Sequence, residues 1–121
     1  MTVRAWQVRL TSRAEADFAD IIDWTWDSFG RRQAEAYATL LLRGVRALED
    51  GPHAAATRDR ASLQPHLRSL QPRRARHVLL FRVQEDASGV TPVRAVDFIV
   101  VLRIMHVAMD PTLHLPTDDP T

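Results

Sequence analysis

Residues 12–50 read SRAEADFADIIDWTWDSFGRRQAEAYATLLLRGVRALED, and their periodicity decides the fold. Phe18, Ile21, Ile22, Thr25, Trp26 and Phe29 recur at three- and four-residue spacing, the signature of one helix face turned to a core. Asp17, Asp20, Asp23 and Asp27 fall on the other side and read as a solvated face. Ser12 opens a capping box with Glu15: the hydroxyl takes an amide of the first turn and the carboxylate reaches back. Gly30 ends the helix in the position where a left-handed residue is wanted. A second stripe follows at once, made of Ala34, Tyr37, Ala38, Leu41, Leu42, Val45 and Leu48. It predicts a helix over residues 31–50, stopped by Gly51 and Pro52. So short a connection folds the two helices into an antiparallel hairpin. Both stripes then need a common third surface.

The flanking sequence supplies it as strands. Residues 3–10 alternate, with Trp6, Val8 and Leu10 on one side. Residues 53–66 are a polar loop, and residues 67–70 a short strand. Residues 77–83 form a stronger one, with Val78, Leu80 and Arg82 on one face and Leu79, Phe81 and Val83 on the other. Residues 85–89, Glu-Asp-Ala-Ser-Gly, make a turn. Residues 93–104 are the longest apolar run, and Phe98 to Leu102 contain no polar side chain, which predicts a central strand. The tail after Asp110 holds three prolines and is expected to fray. The order is β-α-α-β-β-β: an α+β, two-layer domain with a helical hairpin on a mainly antiparallel sheet. The first strand cannot hairpin with the second, which places it at a sheet edge. No repeat or linker divides the chain, so residues 1–121 read as one domain.

Composition removes several function classes. There is no cysteine, which excludes disulfides, thiolate metal sites and cysteine nucleophiles. No apolar run approaches the ~20 residues of a membrane span, and the opening residues lack a signal-peptide core. A cytoplasmic domain without membrane association is the expectation. The net charge of +1 conceals polarity along the chain. Residues 12–50 carry five arginines against eight acids, whereas residues 58–82 carry seven arginines against Asp59 alone. Every basic side chain apart from histidine is arginine, whose planar fork suits carboxylate and phosphate partners.

Catalytic motifs are nearly absent: no glycine-rich phosphate loop, no helical histidine pair, no nucleophile elbow. The aspartate series on the first helix has the spacing of a solvated face, so no metal and no other cofactor is expected. His53, His66 and His114 stand beside prolines or in loops. His77 and His106 are more informative, because Arg68, Arg76, Arg82 and Arg103 lie on the same sheet half. An imidazole among guanidinium groups suits either acid–base work on a phosphodiester or pairing with a partner's carboxylates. Trp24 is offset from its helix stripe, as a partner-binding anchor would be. Arg103, His106, Met109 and Asp110 put a cation, an imidazole, a thioether and a carboxylate near the end of the last strand. They form an exposed mixed rim, unless Met109 packs under the sheet and Asp110 caps a turn before Pro111.

Several of these segments together resemble the ParE toxins of the RelE/ParE superfamily. Leu10-Thr11-Ser12-Arg13-Ala14-Glu15-Ala16-Asp17 followed by Ile21-Ile22-Asp23-Trp24 is similar to that family's first helix. Phe29-Gly30-Arg31-Arg32-Gln33-Ala34-Glu35-Ala36-Tyr37 resembles its helix junction. Leu67-Arg68-Ser69-Leu70 and Arg76-His77-Val78-Leu79-Leu80-Phe81-Arg82-Val83 resemble its hairpin, and residues 101–106 with Met109, Asp110, His114 and Leu115 its C-terminal signature. Arg82 stands where tyrosine is common, Val107 and Ala108 follow the C-terminal histidine in place of smaller residues, and the loop 85–93 is longer than usual.

The resemblance implies a toxin of a type II toxin–antitoxin pair, non-enzymatic, neutralised by a ParD-type antitoxin and directed at DNA gyrase. DNA is then met only indirectly, through the antitoxin complex. Antitoxin contacts fall on Trp24, Arg68, Arg76 and Arg82, and target contacts on Arg103, His106, Met109 and Asp110. Two alternatives stay open. One is a RelE-type mRNA endoribonuclease using Arg68, Arg82, Arg103 and His106. The other is a non-toxic partner in a DNA-binding regulatory complex.

Overall fold

A computed structural model describes residues 6–54, 56–84 and 97–108. The elements are β1 (Trp6–Leu10), α1 (Ser12–Phe29), α2 (Arg31–Ala47), a single 3₁₀ turn (Leu48–Asp50), β2 (Thr57–Asp59), β3 (Leu67–Leu70), β4 (His77–Gln84) and β5 (Asp97–His106). They form one sheet of order β1-β5-β4-β3-β2, with β1 parallel to β5 and every other pair antiparallel. The helical hairpin lies on one face, as expected of the two-layer α+β class. β1 takes the expected edge and β5 the expected interior position. The expected turn 85–89, the start of the 93–104 run and the tail lie outside the described residues.

Three details depart from the sequence reading. The segment read as a loop over 53–66 contains β2, a three-residue edge strand paired with β3 in the register Arg58↔Ser69. Arg60 reinforces that hairpin from both ends, its N–H donating to Leu67 O at 2.8 Å and its Nε to Ser69 Oγ at 3.0 Å. The helical stripe that reached Asp50 tightens into the 3₁₀ turn after Ala47. The cap of α1 is Thr11, not Ser12: its Oγ1 accepts from Ala14 N at 3.0 Å, satisfying one of the free first-turn amides. Thr11 wins because its hydroxyl also donates to Leu102 O at 3.0 Å, a bond Ser12, one residue along, does not make.

Gly30 closes α1 and opens α2 in a single residue. Its φ of 89° is left-handed territory, and its N–H donates to Trp26 O at 2.8 Å while its carbonyl accepts from Ala34 N. The hairpin it creates packs Ala14, Phe18, Ile21, Val45, Ala47 and Leu48 onto Leu70, Leu79, Phe81, Ile99, Val101 and Ile104. The opposite sheet face holds a second cluster of Leu67, Leu80, Leu102 and Met105, with Leu63, Val78 and Val100 against it. The expected division of β4 between its two faces holds. A bulge sits where Leu80 pairs with Arg103 and Phe81 with Val101, leaving Leu102 as the extra residue.

β5 runs past the end of β1, whose pairing stops at Leu10↔Val101. Beyond that point α1 completes the ladder. Thr11 N donates to Val101 O, Thr11 Oγ1 to Leu102 O, and Ile104 N donates to Asp17 Oδ2 at 2.9 Å. One edge carbonyl and one edge amide that would otherwise be orphaned are satisfied by the side chains of Thr11 and Asp17.

Candidate functional site

The residues assigned to antitoxin contact do not form one patch. Trp24 is 63% exposed near the end of α1, its ring edge-on to Phe29 at 5.7 Å. Trp26 and Phe29, expected on the inward stripe, are themselves 50% and 63% exposed. Arg68 and Arg82 sit on opposite faces of the sheet. Arg68 pairs with Phe81, on the helix side, and Arg82 with Leu67, on the second-cluster side. Arg68 is engaged within the fold, its Nε donating to Pro52 O at 2.8 Å and its Nη2 to Thr57 Oγ1 at 3.0 Å. Arg76 is exposed just before β4.

The exposed rim expected at the end of β5 is corrected at Arg103. Its guanidinium is turned into the protein and 9% exposed, gripped by Asp17 through Nε–Oδ2 at 2.8 Å and Nη2–Oδ1 at 3.0 Å. Asp17, read as solvated, is 11% exposed, a correction with the same cause. A two-pronged charged contact plus the Ile104 amide satisfies both groups away from water. Asp20, Asp23 and Asp27 are exposed as expected. His106 is exposed, and its Nδ1 accepts from Ala108 N at 3.1 Å. Met109 and Asp110 lie outside the described residues.

The structure assembles one polar cluster that the spacing did not reveal. His77 opens β4 directly opposite His106 on β5, and their rings meet edge to face at 5.3 Å. Tyr37 reaches down from α2, its hydroxyl 2.6 Å from His77 Nδ1 and accepting from Arg76 N at 3.0 Å. Burial, and then repulsion from His106, lower the His77 pKa below the ordinary imidazole value; Asp17 opposes them. Burial also raises the Tyr37 pKa, against the pull of Arg76, so the phenol keeps its proton. Tyr37 and His77 Nδ1 thus share a single hydrogen bond, whose donor is set by the imidazole tautomer. Among the described residues neither imidazole is hydrogen-bonded to a carboxylate. Tyr37 lay hidden in the α2 stripe as an apolar position; a hydroxyl facing a strand that begins with histidine was the available signal.

Among the described residues no group of three or more His, Cys, Asp or Glu side chains stands close enough to hold a metal ion. Among the same residues no helix is long and apolar enough to cross a membrane.

Comparison with known proteins agrees with this architecture. A solved chain described as the chromosomal ParDE TA system from P. aeruginosa is 24% identical, with a TM-score of 0.63 over 84% of this chain and 96% of that one. At that identity the likeness establishes the fold. No curated protein matches. The model of the family described as the ParE toxin of type II toxin–antitoxin system, parDE, matches residues 8–111. A match over that length, on a hairpin-and-sheet domain with this element order, places the chain in the ParE toxin family of type II toxin–antitoxin systems.

Proposed function

We propose that this toxin acts by binding and not by turnover, in the cytoplasm, with DNA gyrase as its target and a ParD-type antitoxin as its neutralising partner. One observation carries the choice of binding over catalysis: the cations a ribonuclease would gather around a phosphodiester are dispersed. Arg103 is held by Asp17, Arg68 bonds Pro52 O and Thr57, and Arg82 projects from the other sheet face. Electrostatic catalysis needs such groups converged on the developing charge. His106, beside the 46% exposed Val107, is the described part of the target-facing rim, to which this reading also assigns Met109 and Asp110, outside the described residues. In this reading Arg103 anchors the rim from behind.

A supercoiling assay with purified gyrase tests the proposal. Inhibition at micromolar toxin, reversed by antitoxin, is the expected result; full gyrase activity in the presence of folded toxin would refute the target. The His77–His106 pair favours one other reading, a RelE-type endoribonuclease. Primer extension on translating ribosomes separates the two. Codon-specific cuts abolished by His106→Ala would establish the nuclease, since a lost acid–base group typically costs ~10²–10⁴-fold in rate.

A further inference from the structure

A groove runs between α2 and the turn joining β3 to β4. Its volume is about 770 Å³, within the range of pockets that bury a compact ligand. Ala36, Leu40, Gly44 and Ala47 form its helical wall, and Leu70 and Pro72 its floor. Gly44 keeps the helix close to the floor, because a Cβ there would lie 2.6 Å from Pro72 Cγ. Arg43, Arg73 and Arg74 line the groove together, and no Asp or Glu does. All three arginines are exposed, and none makes a hydrogen bond or ion pair with another described residue. Arg74 has φ of 70°, a left-handed conformation in which glycine or asparagine is ordinarily found. The chain therefore sets a long cation at a position its backbone disfavours, on the edge of an apolar trough.

From this we infer that the groove seats an acidic amphipathic segment of the antitoxin, its apolar side chains on Ala36, Leu40 and Leu70 and its carboxylates on Arg43, Arg73 and Arg74. The inference rests on the antitoxin reading above and moves its charged contacts away from Arg68 and Arg82. An apolar floor under a cationic rim matches a helix or strand with one greasy and one acidic edge. Nucleic acid offers the charge without apolar side chains for the floor.

Titration of a ParD-type antitoxin, taken from the reading frame adjacent to the toxin gene, against the purified toxin and its variants decides the matter; the lack of such a reading frame would count against the antitoxin reading itself. Arg43→Glu/Arg73→Glu/Arg74→Glu should weaken binding at least ~100-fold, and the wild-type affinity should fall as salt rises. Arg32→Glu, a single charge reversal in the first turn of α2 outside the groove, should alter affinity less than ~3-fold. Ala36→Glu places a carboxylate in the trough on an exposed helix position and should weaken binding ~10-fold or more, even if the triple variant folds poorly. If the wild type does not bind the antitoxin at all, the antitoxin reading itself falls. If the wild type binds and the folded triple variant, or Ala36→Glu, binds equally well, the groove assignment is overturned. A duplex DNA of about 30 base pairs is titrated in parallel. Loss of DNA affinity in the triple variant with antitoxin affinity intact would also overturn the assignment and make the groove a phosphate site.

Discussion

Replacing Asp17 by alanine should come close to unfolding the domain. The side chain accepts three hydrogen bonds, two from Arg103 and one from Ile104 N, and is 11% exposed against 9% for Arg103. Removing one partner of such a buried pair typically costs about 3–5 kcal/mol, because the other charge loses its main compensation. The orphaned Ile104 amide adds about 1–3 kcal/mol, partly overlapping with that figure, as the cavity lets in water. Arg13, 61% exposed and 3.7 Å from Asp17, contributes little to the pair. We expect a net loss of about 4 kcal/mol, from a total stability of ~5–15 kcal/mol for a domain of this kind. For this chain length that corresponds to a fall in Tm of roughly 12–20 °C. Thermal and urea unfolding followed by circular dichroism measure it. The double variant Asp17→Ala/Arg103→Met removes the stranded charge and should recover about half of the loss or more. If Asp17→Ala costs less than ~1 kcal/mol, or the double variant is no more stable than the single, the buried pair is not what joins α1 to β5.

Further outcomes follow from the same geometry. Thr11→Val, which keeps the branched shape and removes both hydroxyl bonds, should cost about 1–2 kcal/mol by urea denaturation, whereas Ser12→Ala should cost a few tenths at most. Gly44→Ala sets a helix-propensity gain of about 1 kcal/mol against overpacking on the Pro72 ring; the 2.6 Å approach decides for a net loss of about 1–2 kcal/mol, read as a lower Tm. His77 is disfavoured from taking a proton in the folded state, so the unfolded chain binds more protons below about pH 6.5. The His77 contribution is therefore intact above that pH and is lost as pH falls toward the depressed folded value. The wild type should lose more stability between pH 7 and pH 5 than His77→Gln, a difference visible in paired denaturation curves and absent if the imidazole is freely solvated.

The elements that could be read directly were those whose signal is local. The two stripes of residues 12–50 repeat at helical spacing, and Phe98 to Leu102 are too apolar for anything but an interior strand, so the layer arrangement followed. β2 was invisible because Thr57, Arg58 and Asp59 have neither alternation nor bulk; the strand exists because β3 offers an edge. Asp17 misled for a different reason. It flanks the stripe at the same spacing as Asp20, yet its partner lies 86 residues away in sequence, where no periodicity can point. The same blindness hid the Tyr37–His77 bond across 40 residues. Arg68 and Arg82 looked alike as strand cations, and only the register between β3 and β4 puts them on opposite faces. Arg73 and Arg74 were counted in the basic stretch and Arg43 in the acidic one, and the trough that unites them arises only when α2 closes over Pro72.

The dependence of α1 on β5 has a consequence for when this toxin comes into being during synthesis. Among the described residues an interior strand, β5, is the last element made, and both β1 and the start of α1 have their backbone partners there. Until residues 97–106 have left the ribosome, β1 lacks its partner strand and Asp17 lacks Arg103. Long-range pairing of this kind is slow and completes late. A chain paused before β5 can close the helical hairpin locally but not fasten it to the sheet. The folded toxin domain is therefore complete only once residues 97–106 have been made, near the end of the matched stretch 8–111.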